Sequence, residues 1–319
     1  MKQFDVFNGD ADGICALIQL RNAKPAESTL VTGVKRDISL LKRVEASTGD
    51  QVTALDISMD KNQQDLRRLL DAGANVLYCD HHFPGEIPDS PNLHPIINEA
   101  ADVCTSLLIN NYLDGQFIEW AIVGTYGDNL KKSAQGMAKN LQLSEDQLKQ
   151  LENLGIYINY NGYGSKLEEL HFRPEDLYRL AVEYASPFDF ISDGKQHFEK
   201  LEAGYHEDMR AASDTKALRE SDNTALFVLP DAPWARRVSG VYSNDLTNAS
   251  PDRAHAVLTE KSNGNYLVSV RAPLTNKQGA VDLCKSFPTG GGRAAAAGIN
   301  DLPRELFEDF ATAFEKQYS

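Results

Sequence analysis

The sequence is short of several things, and each shortage narrows what the chain can be. No apolar run comes near the roughly 18 residues that a membrane-spanning helix needs. The opening MKQFDVFNGDADG carries acids where a secretory leader would carry its apolar core. Cysteine is scarce: Cys15, Cys79, Cys104 and Cys284 are the four present, they form no CxxC pair, and each lies in an apolar context. They read as reduced core cysteines of a cytoplasmic protein rather than a disulfide framework. Basic charge is also short. A formal charge of −14 argues against a broad electrostatic grip on duplex nucleic acid, while a small anionic substrate in a local pocket stays compatible. There is no internal repeat and no low-complexity tract.

What is present is ordinary for a globular protein: 42% hydrophobic and 24% charged residues over 319 positions, a length that favours two domains. The first half alternates strand and helix signals. Phe4 to Phe7 reads as a strand, Ile14 to Arg21 as a helix, Ser28 to Val34 as a strand and Ile38 to Ala46 as a helix. Gln51 to Leu55 is a third strand, Asn62 to Leu70 a helix that Gly73 closes, and Asn75 to Cys79 the next strand. Ala101 to Leu113 looks helical, and the apolar run Phe117 to Tyr126 reads as a further strand that leads into Gly127-Asp128-Asn129. Such alternation predicts an α/β fold with a mostly parallel sheet. From Ser133 to Ala212 the pattern is mainly helical, broken by a Tyr-, Asn- and Gly-rich insert from Gly155 to Gly164 that reads as irregular. The polar segment 213–223 reads as a linker between a first domain, 1–212, and a smaller α/β domain, 224–319. The latter has strands at Ala225 to Leu229, Ala254 to Glu260 and Tyr266 to Arg271, then helices at Gly279 to Lys285 and Arg304 to Lys316.

Each predicted strand of the first domain delivers a carboxylate at its end. Asp10 and Asp12 follow the first, Asp56 follows VTALD, Asp80 and His81 follow NVLYC, and Asp128 follows IVGTYG. In a parallel sheet these ends share one edge, where open α/β folds bind their ligands. Several carboxylates in one cleft need a compensating cation, and Asp-rich sites with one or two histidines suit Mn²⁺ or Mg²⁺. Taken singly, the motifs have plainer readings. NGDADG could be an Asx-rich turn or a calcium-like loop, and Asp56 or Asp128 could cap a helix. Tyr157, Tyr160 and Tyr163 could stack a base or simply pack the insert.

Taken together, DADG (Asp10 to Gly13), LDIS (Leu55 to Ser58), DHH (Asp80 to His82) and GTYGDN (Gly124 to Asn129) resemble the four motifs of the DHH phosphoesterase superfamily. In the second half, RRVSG (Arg236 to Gly240), SVRAPL (Ser269 to Leu274) and FPTGGGRAAAAGI (Phe287 to Ile299) resemble its DHHA1 substrate domain. The resemblance to this superfamily, whose members include RecJ-type exonucleases and nanoRNases, implies a cytoplasmic metal-dependent hydrolase acting on ester bonds of small nucleotides or short single strands. That would be an oligoribonuclease or an exonuclease of either polarity, working through a metal-activated water, with room for a homodimer. It implies metal ligands at Asp10, Asp12, Asp56, His81 and Asp128, two Mn²⁺ or Mg²⁺ ions, and Asp56 as their bridge. It makes Asp80 the hydrogen-bond partner that orients His81 and puts His82 beside the substrate, so that His82, Asp80 and Asp56 form the catalytic set. It assigns phosphate holding to Arg271, Arg236, Arg293 and the backbone of Gly290, Gly291 and Gly292, in the manner of an anion-binding loop at a helix start.

Two positions depart from the pattern. Val6 stands where many members carry a metal-binding histidine, which predicts one weak metal site. Arg293 stands where the glycine-rich motif ends in histidine, which favours binding a multiply charged phosphate over acid–base work. The alternatives are pyrophosphate or polyphosphate hydrolysis, which would draw on Lys131 and Lys132 as well, and a catalytically weakened nucleotide sensor.

Overall fold

The computed structural model describes residues 1–319, which divide into two compact units, Met1–Ala203 and Gly204–Ser319. The first contains β1 (Gln3–Phe7), α1 (Ala11–Ala23), β2 (Thr29–Val31), β3 (Gln51–Leu55), α2 (Met59–Asp71), β4 (Asn75–Asp80) and β5 (Leu93–Ile97). The helices α3 (Thr105–Tyr112), α4 (Ile118–Gly127), α5 (Lys131–Ala138), α6 (Glu145–Asn161), α7 (Pro174–Ala181) and α8 (Pro187–Ser192) follow, and the unit boundary falls within α9 (Lys195–Ser213). The five strands form one sheet in the order β2-β1-β3-β4-β5, parallel throughout. Its strand order reverses direction at β1, so the carboxyl ends of β1 and β3 open the crevice in which such sheets place ligands.

One face of this sheet is packed by the apolar positions of β1, β3, β4 and α2. Val6, Ala54, Tyr78, Leu66 and Leu69 are all fully buried there. Replacing either leucine by alanine would cost about 2–5 kcal/mol. Helix α2 also carries the buried Asn62, whose Nδ2 donates to the carbonyls of Ile38 (2.7 Å) and Ser58 (2.9 Å) and whose Oδ1 accepts from the Leu41 N–H (3.1 Å). Arg68 Nη2 adds bonds to the carbonyls of Leu41 and Val44. These cross-links take up the backbone groups that a helix would use. The helix expected over Ile38 to Ala46 is therefore only a 3₁₀ turn at Leu41–Arg43.

The stretch Phe117 to Tyr126 is a helix, α4, and not a strand. It is apolar on every side because it is enclosed on every side, a case in which periodicity cannot separate helix from strand. Two glycines permit that enclosure. A Cβ on Gly127 would lie 2.3 Å from the Ala11 Cβ, and one on Gly155 would lie 2.3 Å from the Val123 carbonyl oxygen. The insert from Gly155 is not irregular either. Gly155 to Asn161 are the last two turns of α6, a helix opened by a capping box at Ser144 and Gln147, and only Gly162 to Gly164 lie beyond it. Strand β5, LHPII, carried no strand expectation, and its proline sits on an edge strand.

The second unit has a six-stranded mixed sheet, built from β6 (Arg219–Glu220), β7 (Thr224–Leu229), β8 (Ala254–Glu260), β9 (Tyr266–Arg271), β10 (Gly290–Gly292) and β11 (Ala296–Leu302). Only β7 and β8 run parallel. Helices α10 (Pro233–Ala249), α11 (Ala280–Lys285) and α12 (Phe307–Gln317) complete it. Its core joins Leu258, Val268, Val270, Ile299, Phe310 and Phe314, all with at most 2% exposure. Part of the segment read as a linker is the short strand β6, hydrogen-bonded to β7.

Candidate metal centre

The carboxyl ends of β1, β3 and β4 place Asp10, Asp12, Asp56 and His81 together, as the parallel register requires. Asp10 caps α1, accepting from the Gly13 N–H at 3.1 Å. Asp12 lies in the first turn of the helix and is fully buried. Its two oxygens accept from the backbone N–H groups of Thr105 (2.7 Å) and Ser106 (2.6 Å), at the N-terminus of α3. That pairing holds a carboxylate at the positive end of a helix. The Thr105-Ser106 pair was not singled out from the sequence; the signal available was a Thr-Ser step opening a helix.

Asp56 follows β3 with a left-handed backbone, φ +57°, although it is neither glycine nor solvent-exposed. Such a conformation costs of order 1–3 kcal/mol and persists where the surroundings impose it. Asp128 does not follow a strand. It caps the C-terminal end of α4, its N–H bonded to the Gly124 carbonyl at 2.9 Å, so a helix end brings it to the same edge.

His81 stands at the middle of the group. Its Nε2 is 3.5 Å from Asp56 Oδ1, 3.8 Å from Asp128 Oδ2 and 3.9 Å from Asp12 Oδ2. Its Nδ1 lies 2.9 Å from the Val103 carbonyl, which can only accept, so Nδ1 donates there and Nε2 is the nitrogen turned toward the acids. The partner that orients His81 is thus Val103, and not Asp80 as expected. Asp80 instead bonds His82, with Oδ1 2.7 Å from Nδ1. Burial pushes the His82 imidazole down, but the hydrogen bond and charge of Asp80 outweigh it and leave the ring more basic than a free histidine.

The electrostatics are those of an acid cluster that needs a cation. Burial, together with the charges of Asp10, Asp12, Asp80 and Asp128, pushes the Asp56 carboxyl well above its usual range. Burial and Asp12 raise Asp128 to about 6, against the pull of Lys35 and His81. Asp10 moves the other way: burial would raise it, but Lys35, which forms an ion pair with its Oδ2, holds it below the ordinary value. The buried Asp80 Oδ2 has no hydrogen-bond partner. Oxygen donors in excess, one free imidazole nitrogen and uncompensated negative charge together suit a hard divalent ion. Two groups of side chains have all their ligand atoms within 4.8 Å of one another: Asp12, His81 and Asp128, and Asp56, His81 and His82.

The tyrosines of α6 are structural. Tyr157 and Tyr160 are buried, their hydroxyls bonded to Glu202 (3.3 Å) and His171 (2.8 Å). Only Tyr163 approaches the acids, its ring centroid 5.2 Å from the Lys35 ammonium. Lys35 itself was missed, because a lysine in a loop between strands carries no local signal.

The remaining expected site residues belong to the second unit. Arg271 ends β9, opposite Ala296 of β11, and its guanidinium donates to Asn244 Oδ1 (2.8 Å) and Ser269 Oγ (3.0 Å). Arg236, on α10, is ion-paired to Asp231. Gly290, Gly291 and Gly292 do not open a helix. They form β10, paired antiparallel with β11, and the exposed Arg293 lies at the tight turn between them.

Fold comparison settles the architecture. A member of the S1p family of ribosomal proteins, described by its DHH domain, superposes with a TM-score of 0.65 at 14% identity, covering 99% of this chain and 86% of that one. The exonuclease RecJ bound to manganese gives 0.62 at 18% identity, with 99% and 89% covered. The pGpG-specific phosphodiesterase PggH of Vibrio cholerae gives 0.57 at 16% identity, with 99% and 98% covered. The chain has the DHH fold. The sequence matches no protein-family model and no curated protein, so it is the arrangement of the chain that carries this assignment. Within the DHH fold, the DADG, LDIS and DHH motifs sit at the ends of β1, β3 and β4, and GTYGDN at the end of α4.

Proposed function

We propose that the protein is a metal-dependent phosphoesterase acting on small nucleotides or short oligonucleotides. The observation that carries this reading is the convergence of Asp12, Asp56 and Asp128 on Nε2 of His81, at the crevice of a parallel sheet. A divalent ion bound there, Mn²⁺ or Mg²⁺, supplies a Lewis acid for a phosphoryl oxygen and makes water acidic enough to lose a proton near neutral pH. Support comes from the DHH folds of similar shape, one of which is described as bound to manganese and another as a phosphodiesterase.

The chain's own residues then have separate tasks. Asp12 is fixed by the α3 N-terminus and Asp56 by its strained backbone, so both present carboxylates without reorganising. His82, half exposed and kept protonated by Asp80 to higher pH than a free histidine, offers a charged N–H to a phosphate oxygen or to the leaving group. Phosphate holding by Arg271, Arg236, Arg293 and the backbone of Gly290, Gly291 and Gly292 is part of the same proposal. It is supported by the SVRAPL and GGGRAAAAG patterns. A net charge of −14 favours a small substrate over a long strand.

The test is a hydrolysis panel with Mn²⁺ or Mg²⁺: dinucleotides, short single strands, adenosine bisphosphate, cyclic dinucleotides, pyrophosphate and polyphosphate. Metal-dependent turnover of a nucleotide ester, lost in Asp128→Asn, is expected. Turnover confined to pyrophosphate or polyphosphate would replace the substrate class, and nucleotide binding without any turnover would make the protein a sensor.

A further inference from the structure

We propose that Lys35 is a built-in cation standing in for one ion of a two-ion centre, so that the protein works with a single divalent ion held by Asp12, Asp56, His81 and Asp128. This rests on the phosphoesterase reading above.

Three observations converge on it. First, Val6, which stands where the DHH resemblance implies a metal-binding histidine, is fully buried in the sheet core and paired in register with Val31 and Ala54. It offers no donor atom. Second, Asp10 is already met by a cation: its Oδ2 is ion-paired with the Lys35 ammonium, whereas the oxygens of Asp12 accept only from uncharged backbone N–H groups. Third, both groups of close-lying ligand atoms include His81, and neither includes Asp10. The acids therefore divide into three that approach His81 Nε2, at 3.5–3.9 Å, and a single carboxylate whose charge is met from within the chain.

Lys35 is held in place by more than its charge. Its N–H donates to the Gly162 carbonyl at 2.8 Å, and its own carbonyl accepts from Asn8 Nδ2 at 3.2 Å. The ammonium donates to Asn159 Oδ1 at 2.9 Å as well as to Asp10, beneath the ring of Tyr163. The close approach of its loop depends on Gly9, where a Cβ would lie 1.9 Å from the Gly33 carbonyl oxygen. An ammonium positioned in this way neutralises one acid permanently and repels a second dication from Asp10. It also cannot be stripped by a chelator.

The test uses full-length protein, freed of metal and dialysed against a Mn²⁺ series. Bound Mn²⁺ is counted by atomic emission and its spin state is read by electron paramagnetic resonance. The wild type is expected to bind one Mn²⁺ per chain with the six-line spectrum of an isolated ion. Lys35→Gln is expected to take up a second ion at higher Mn²⁺, with an exchange-coupled spectrum. Two coupled ions in the wild type would overturn the role of Lys35 while leaving the phosphoesterase reading intact. So would a Lys35→Gln count that stays at one. No bound Mn²⁺ in the wild type would instead sink the metal reading, and this inference with it. Should Lys35→Gln fail to fold, as judged by circular dichroism, the wild-type count and spectrum decide alone.

Discussion

Replacing Asp128 by asparagine should make the metal-free protein more stable, not less. In the folded chain this carboxyl is raised from 3.8 to about 6 by burial and by Asp12. An acid whose folded value lies above its unfolded value costs stability once the pH exceeds the folded value, and costs nothing below the unfolded one. At pH 7 the cost is therefore felt in full, and with the side chain 22% exposed it amounts to roughly 2–3 kcal/mol. Asparagine keeps the shape and removes the charge. For a folding unit of this size each kcal/mol moves the melting temperature by about 2–4 °C, so Asp128→Asn should melt roughly 4–10 °C higher in the presence of a chelator. The gain should shrink steadily as the pH is lowered from 6 toward 4. Saturating Mn²⁺ should cancel most of that lead, because an ion at a hundred times its dissociation constant adds about 2.7 kcal/mol to the wild type and less to a variant short of one ligand. Differential scanning calorimetry with and without Mn²⁺ reads all of this. A chelated variant at pH 7 that melts below the wild type, or a difference that persists unchanged at pH 4, would refute the electrostatic reasoning.

Arg21 and Asp5 form a buried ion pair between α1 and β1, shared with Ser28. Arg21→Met should cost about 3–5 kcal/mol in urea unfolding by stranding the carboxylate, and adding Asp5→Leu should recover much of it. His255, 2% exposed, is lowered by burial to about 4 from 6.5. Being depressed, it contributes stability above pH 6.5 that is lost as the pH falls toward 4, on the order of 2–3 kcal/mol. His255→Phe should flatten that part of the wild-type pH–stability curve, and an unchanged slope would count against it. Asp80→Asn should lower kcat roughly 10²-fold, with the alkaline limb of the pH–rate profile moved to lower pH because His82 loses the partner that keeps it charged. A loss with no change in profile would make Asp80 merely structural.

Much of this was readable in the chain because parallel strands advertise themselves. QVTAL, NVLYC and the two long strands of the second unit are short apolar runs bounded by turns, and their bounds follow from composition alone. The acids were legible for the same reason: parallel register sends every strand end to one edge. What was not legible depends on contacts between distant segments. The fully enclosed helix α4 has no polar face to betray its period. The 3₁₀ turn at Leu41 exists because Asn62, some twenty positions on, takes its backbone groups. The exchange of partners between His81 and His82 turns on where the Val103 carbonyl falls, and Lys35 reaches Asp10 only through a loop that Gly9 and Gly162 admit.

The most direct test is hydrolysis of a short dinucleotide by the wild type with Mn²⁺, with chelator, and by His81→Ala with Mn²⁺, products resolved by chromatography. Mononucleotide release that requires the metal and falls at least about a thousandfold without the His81 imidazole is the predicted result. Equal turnover in the presence of chelator, or an unimpaired His81→Ala, would show that the chemistry does not run through this centre.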